Sequence, residues 1–307
     1  MSLMIVATNK DTKPWIKSFK THNPNIEIEI YPNIKNKDNI IFALVWSKNE
    51  IDFKEFKNLK CIASMGAGVD HILCNKTIPQ DIAITKIVDT QLVNSMWEYL
   101  LTAVMNVVTN HYKYISQQKH TIWNPIEPVK SIQNTTITIL GLGQLGSTIA
   151  QNFANMNFKI KGYSLTKKEI KDVATYTTLE ESIKNSDIII NLLPLTKDTR
   201  QILNNNFFEK LKSGAYIINV GRGDHLNEDD LIEAIKCGKL SGATLDVFKN
   251  EPLEQNHYFW DIENIIITPH SASITNPNSV VNQIIENYNR ISKNLIPKNT
   301  IDITKGY

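Results

Sequence analysis

The chain has 307 residues, about twice an ordinary domain, so two separate cores are expected. Its apolar fraction is 42%, ordinary for a globular protein. Its 33 basic residues against 31 acidic leave a formal charge of +2, too little to gather nucleic acid. Cys61, Cys74 and Cys237 are odd in number and lack C-x-x-C spacing, which argues against a disulfide framework or zinc site and fits a reducing cytoplasm.

Near the N-terminus only Leu3 to Ala7 is continuously apolar before charge arrives at Lys10, so neither a signal peptide nor a membrane anchor is expected. Leu3–Ala7, Ile26–Ile30, Ile40–Val45, Lys60–Ser64 and Ile82–Ile84 read as strands, with helices around Trp15–Lys20 and Ile51–Phe56 between them. That alternation predicts a parallel sheet covered on both faces. Asn94 to about Gln118 reads as one long helix with Trp97, Leu100, Leu101, Val104, Met105 and Val108 on one side. A second alternation follows, with strands at 136–140, 159–163, 188–192, 216–220, 243–247 and 265–268. A last helix spans Ser279–Asn294, before Pro297. The expected fold is α/β with two doubly wound parallel-sheet domains.

Gly141-Leu142-Gly143-Gln144-Leu145-Gly146 follows an apolar strand and opens the helix Ser147–Asn155. In that context the glycines allow a tight turn, close backbone approach to a pyrophosphate and helix-on-strand packing, while the helix N-terminus offers N–H groups to the anion. The next strand ends Tyr163-Ser164-Leu165-Thr166-Lys167-Lys168, with no acid to hold a ribose 2′-hydroxyl. Ser164, Thr166, Lys167 and Lys168 can each donate to a 2′-phosphate, so NADP(H) is the expected cofactor, with NAD(H) the alternative.

The basic residues are 30 lysines and three arginines, Arg200, Arg222 and Arg290. Arg222 lies between two glycines directly after a strand, where its planar fork can grip a carboxylate with two hydrogen bonds. His270 follows another strand and can donate a proton to a carbonyl oxygen. Glu251 could fill the role of the carboxylate that favours its imidazolium.

Together the glycine loop, Asn219-Val220-Gly221-Arg222-Gly223, Leu245-Asp246-Val247-Phe248 with Glu251-Pro252-Leu253, and Thr268-Pro269-His270-Ser271-Ala272-Ser273 resemble the D-2-hydroxyacid dehydrogenase family over nearly the whole chain. Within it, the stretches around Asn191-Leu192-Leu193-Pro194, Asp229-Asp230-Leu231 and the terminal Gly306-Tyr307 resemble the branch that reduces glyoxylate and hydroxypyruvate. The resemblance implies a Rossmann dinucleotide-binding domain, residues 96–274, inserted into a flavodoxin-like substrate domain, residues 1–95 and 275–307. It implies that Arg222 holds the substrate carboxylate and carbonyl oxygen, that His270 is the general acid, and that Glu251 orients and charges His270. Asp246 would contact the nicotinamide carboxamide, with Leu193, Pro194, Val220 and Gly221 beside the cofactor. In the substrate domain Met65-Gly66-Ala67-Gly68-Val69-Asp70 resembles the substrate loop. Ala67, Gly68 and Val69 would give backbone N–H groups to the carboxylate, and Trp46 and Met65 would wall a small pocket, plain core packing being the alternative for both. Domain closure, a hinge in the long helix and a homodimer follow by analogy.

Where NADP-using relatives tend to carry an arginine beside the strand-end serine, this chain has Leu165. Two rival readings stand beside a cytoplasmic reductase of a small 2-keto acid. One is another family member, such as an NAD-dependent enzyme for a larger acid or a phosphoglycerate or formate dehydrogenase. The other is a non-catalytic, dinucleotide-sensing binding protein like the corepressors built on this scaffold.

Overall fold

The computed structural model describes residues 1–7, 10–46, 51–127 and 130–303; Gly306-Tyr307 lies outside them. The chain divides into two compact units, Met1–Leu92 with Ile274–Tyr307, and Val93–Ser273.

The first unit contains β1 (Ser2–Val6), β2 (Ile28–Ile30), β3 (Ile40–Val45), β4 (Cys61–Ser64) and β5 (Ala83–Thr85), hydrogen-bonded in the order β2-β1-β3-β4-β5. All these pairs are parallel, the strand order of flavodoxin-like domains. β1 and β3 are buried along their whole length, as strands covered on both faces must be. One face packs Leu3, Ile5, Phe42 and Leu44 against Trp15 and Phe19 of the helix Lys13–His22 and against Val281 and Ile284 of the helix Pro277–Ser292. The other packs Met4, Val6 and Ala43 against Ile51, Phe53, Phe56 and Leu59. The helix expected over Ile51–Phe56 is only a 3₁₀ turn, Phe53–Glu55, in which Asp52 accepts a hydrogen bond from the Lys54 N–H. So short a segment cannot recover the cost of helix nucleation, and burial of its apolar side chains decides its shape.

The second unit contains β6 (Thr136–Leu140), β7 (Lys159–Tyr163), β8 (Val173–Tyr176), β9 (Ile188–Asn191), β10 (Ala215–Asn219), β11 (Leu240–Leu245) and β12 (Ile265–Ile267). Their order is β12-β11-β10-β9-β6-β7-β8, all parallel. The order reverses between β6 and β9, the switch point at which doubly wound sheets bind ligands. β8 was not expected from the sequence, because this half-exposed edge strand, Val-Ala-Thr-Tyr, lacks an apolar run. The single helix expected to Gln118 is two, Thr90–Val108 and His111–Lys119, separated at Asn110, whose left-handed φ of 55° asparagine tolerates. Among the described residues no helix is long and apolar enough to cross a membrane.

Candidate active site

Register aligns the functional segments of the second unit. Tyr176, Tyr163, Leu140, Asn191, Asn219, Leu245 and Ile267 pair across the seven strands in one continuous rung at the carboxyl edge. The glycine loop, Leu192–Pro194, the Arg222 turn, Asp246 and His270 all leave the sheet just beyond it.

At the glycine loop each small residue meets a different steric limit. Gly141 has φ +100°, and a Cβ there would lie 2.8 Å from the Leu192 carbonyl oxygen. A Cβ on Gly146 would lie 1.9 Å from the Gly141 oxygen, so the helix Gln144–Asn155 sits hard against the loop. A Cβ on Gly143 would meet nothing within 4 Å beyond its chain neighbours and its own helix backbone, and no side chain caps the helix it begins. That combination fits the backbone approach a pyrophosphate needs. Leu142 is buried with its side chain against Gly162, leaving only its backbone for a ligand. Leu145 is half-buried and Gln144 exposed.

After β7, Ser164 Oγ donates to the Thr166 carbonyl at 2.7 Å, closing a small turn. Leu165, Thr166, Lys167 and Lys168 are exposed around it. Leu193 and Val220 are nearly buried, Gly221 is buried and Pro194 half-buried.

Arg222 is half-buried, and its Nη1 donates to the Gly221 carbonyl at 2.7 Å. Both flanking glycines are sterically required. A Cβ on Gly221 would meet Asn191 Nδ2 at 2.9 Å, and one on Gly223 would meet the Phe248 carbonyl carbon at 1.9 Å.

Glu251 and His270 form a pair. Glu251 Oε1 accepts from the Phe248 N–H at 2.9 Å, and Oε2 lies 2.7 Å from His270 Nδ1. Both side chains are about one third exposed, so water reaches the pair without dissolving it. His270 has a left-handed φ of 53°, which costs a non-glycine residue about 1–2 kcal/mol. The surrounding bonds hold it there, since its N–H donates to the Asp246 carbonyl at 2.8 Å.

Asp246 is 1% exposed, and its carboxylate accepts from Thr268 Oγ1 at 2.6 Å, the Ser271 N–H at 2.8 Å and the Ala272 N–H at 2.9 Å. It is thus the internal anchor of the segment carrying His270. Tyr99, on the helix Thr90–Val108, adds its hydroxyl to Thr268 Oγ1 at 2.6 Å. Burial pushes the Tyr99 phenol up to about 12; the Thr268 bond works against that rise and the Asp246 charge adds to it, so the phenol stays protonated at neutral pH. Thr268 belongs to the His270 motif, but Tyr99 lies 169 residues away from it, so nothing in the sequence marks Tyr99 as a partner of this segment.

In the first unit, Met65 is buried in the core beside Ala63 and Leu92. Trp46 packs at the edge of that core, 5.1 Å from the His71 ring and with Lys10 Nζ 3.5 Å above its face. Ala67 is exposed, Gly68 half-buried and Val69 buried, in a turn closed by Ser64 Oγ donating to the Gly68 carbonyl at 2.6 Å.

Residues 101–272 match the profile of the D-isomer specific 2-hydroxyacid dehydrogenase, NAD binding domain. The chain belongs to that family, whose members are NAD(P)-dependent oxidoreductases. It is 37% identical over 274 residues, 87% of each chain, to glyoxylate/hydroxypyruvate reductase A of Serratia proteamaculans. To the enzyme of the same name from Yersinia enterocolitica it is 33% identical over 305 residues, 97% of each chain. Among solved structures, it superposes with TM-score 0.91 and 31% identity, covering all of both chains, on an NADPH-dependent glyoxylate/hydroxypyruvate reductase from Sinorhizobium meliloti in complex with NADP and sulfate. A D-isomer specific 2-hydroxyacid dehydrogenase from Xanthobacter autotrophicus in complex with NADPH and MES gives TM-score 0.92 at 30% identity, covering 100% of this chain and 99% of that one. The two-sheet α/β architecture is therefore that of this family.

Proposed function

We propose that the protein reduces a small 2-keto acid, glyoxylate or hydroxypyruvate, to the 2-hydroxy acid, with NADPH as the preferred reductant. The observation that carries this reading is the Glu251–His270 pair at 2.7 Å, on the sheet edge that also presents Arg222. Glu251 occupies Nδ1 and balances an imidazolium, which assigns Nε2 as the proton donor to the keto oxygen. Arg222 binds the carboxylate and polarises the carbonyl. When bound, the nicotinamide supplies the hydride; as the carbonyl carbon accepts it, the carbonyl π pair moves to oxygen and takes the His270 proton, leaving neutral imidazole. The glycine loop would hold the pyrophosphate, and Leu193, Pro194, Val220 and Gly221 would line the cofactor. Asp246 would meet the carboxamide with what acceptor capacity its three internal donors leave.

The NADPH preference rests on Ser164, Thr166, Lys167 and Lys168 at a strand end without an acid, and the relatives solved with NADP or NADPH support it. Replacing both lysines by alanine is expected to raise the KM for NADPH about tenfold or more and leave that for NADH unchanged. The first test follows oxidation of NADPH and NADH with glyoxylate, hydroxypyruvate, pyruvate and an aromatic 2-keto acid. Rapid turnover of the first two with NADPH supports the proposal. Preference for NADH or the aromatic acid moves it elsewhere in the family, and cofactor binding without turnover of any acid favours the sensing role.

Trp123 is 99% and Ile122 53% exposed, an apolar stretch that a second copy of the chain would cover. Light scattering should then give twice the 34.9 kDa chain mass.

A further inference from the structure

Beneath Arg222 lies a closed polar network whose members sit in three separate segments. Asn191 ends β9, Asn219 ends β10, and His225 lies in the 3₁₀ turn Gly223–His225; all three are 0% exposed. Two backbone donors fix the amide orientations, since an N–H can only donate. Leu193 N–H donates to Asn191 Oδ1 at 3.2 Å, and Gly221 N–H to Asn219 Oδ1 at 3.2 Å. The Asn191 amide nitrogen therefore donates at 2.9 Å to both Asn219 Oδ1 and His225 Nδ1. His225 Nδ1 also receives the Arg222 backbone N–H at 3.1 Å, while Asn219 Nδ2 donates to the Arg222 carbonyl at 3.1 Å.

Two donors converge on Nδ1, so that nitrogen is the acceptor of a neutral imidazole. Its proton sits on Nε2, 3.3 Å from the Pro194 carbonyl. Both backbone polar groups of Arg222 are thus held by buried side chains, and Gly221 has no Cβ because these side chains occupy its space. His225 touches both the Arg222 turn and the Leu192–Pro194 segment.

We propose that His225, as a neutral Nε2–H tautomer, is a positioning residue that sets the orientation of Arg222 toward the substrate carboxylate. The proposal rests on the role assigned to Arg222 above. Its critical feature is the acceptor at Nδ1, which must face two donors; the Nε2–H bond to Pro194, at 3.3 Å, is the weaker tie.

Two isosteric amides separate these ends. His225→Asn places a carbonyl oxygen near the position of Nδ1 and keeps the acceptor; His225→Gln places an amide group near Nε2 and loses it. Each purified variant would be measured for KM and kcat with glyoxylate, for Kd of NADPH, and for Kd of oxalate in the presence of NADPH. The expected result is a rise of tenfold or more in glyoxylate KM and oxalate Kd for His225→Gln, with NADPH Kd within threefold of wild type, and a KM within threefold for His225→Asn. Equal effects of the two variants, or weakening of NADPH as large as that of oxalate, would overturn the proposal. If His225→Gln does not fold, His225→Asn with Asn219→Leu decides, since removing the Arg222 carbonyl tie should raise oxalate Kd and the asparagine at 225 should not. Arg222→Lys is measured alongside. No change in KM or oxalate Kd there defeats the assignment of Arg222 itself, whereas a large change there with none in His225→Gln defeats only the role of His225.

Discussion

Thr268 Oγ1 donates to the Asp246 carboxylate at 2.6 Å, because a carboxylate can only accept; its single hydrogen is then committed, and it must accept the Tyr99 hydroxyl proton at 2.6 Å. The Tyr99–Thr268–Asp246 chain therefore has one direction, and it ends on the group that ties down Ser271 and Ala272 beside His270. Thr268→Val leaves the Tyr99 hydroxyl without that acceptor and removes one of three donors to Asp246. The expected loss is about 1–3 kcal/mol in urea unfolding together with reduced kcat, and Tyr99→Phe should cost less, about 1 kcal/mol. Equal stability of wild type and Thr268→Val would show that the chain carries no load.

Glu251→Gln keeps the shape of the 2.7 Å contact and removes its charge. The carboxylate accepts from Nδ1 and fixes the ring, so its loss weakens the positioning and charge balance of the proton donor that reduction needs. Turnover at neutral pH should drop about tenfold or more. Unchanged turnover in Glu251→Gln would separate Glu251 from proton donation.

Gly143 and Gly146 give opposite expectations for the same substitution. Gly146→Ala forces a methyl to within 1.9 Å of the Gly141 oxygen and should lower Tm as well as abolish cofactor binding. The added methyl of Gly143→Ala meets nothing within 4 Å beyond its chain neighbours and own helix backbone, so Tm should hold while NADPH Kd rises about tenfold or more, if the backbone there approaches the pyrophosphate. Unchanged affinity in Gly143→Ala would move the anion elsewhere.

Cys74 and Cys237 are exposed, whereas Cys61 is buried in β4 and burial pushes its thiol up to about 12. A thiol reagent at neutral pH should modify two cysteines in the folded protein and the third only after denaturation, in a stoichiometric titration. Three fast thiols would contradict the burial of β4.

The sequence alone determined a good deal, because some constraints are local. Strands β3 and β6 coincide with their apolar runs, and the glycine loop, Arg222 and His270 follow strand ends in single short motifs. Each can be read within about ten residues, as the backbone freedom of glycine, the fork of arginine and the apolar period of a strand act at that range. Only the tertiary structure decided what depends on register between distant strands. Asn191 and His225 are 34 residues apart and Tyr99 and Thr268 are 169 apart, yet parallel pairing of β9 with β10 brings the first pair into contact and the helix Thr90–Val108 brings Tyr99 to Thr268. The same distance effect gave Asp246 a second role beside the one expected toward the cofactor, as buried anchor of the His270 segment, because three donors from beyond β12 reach its carboxylate. It also decided β8 and the break at Asn110, where sheet pairing and a left-handed residue overrode weak local preference.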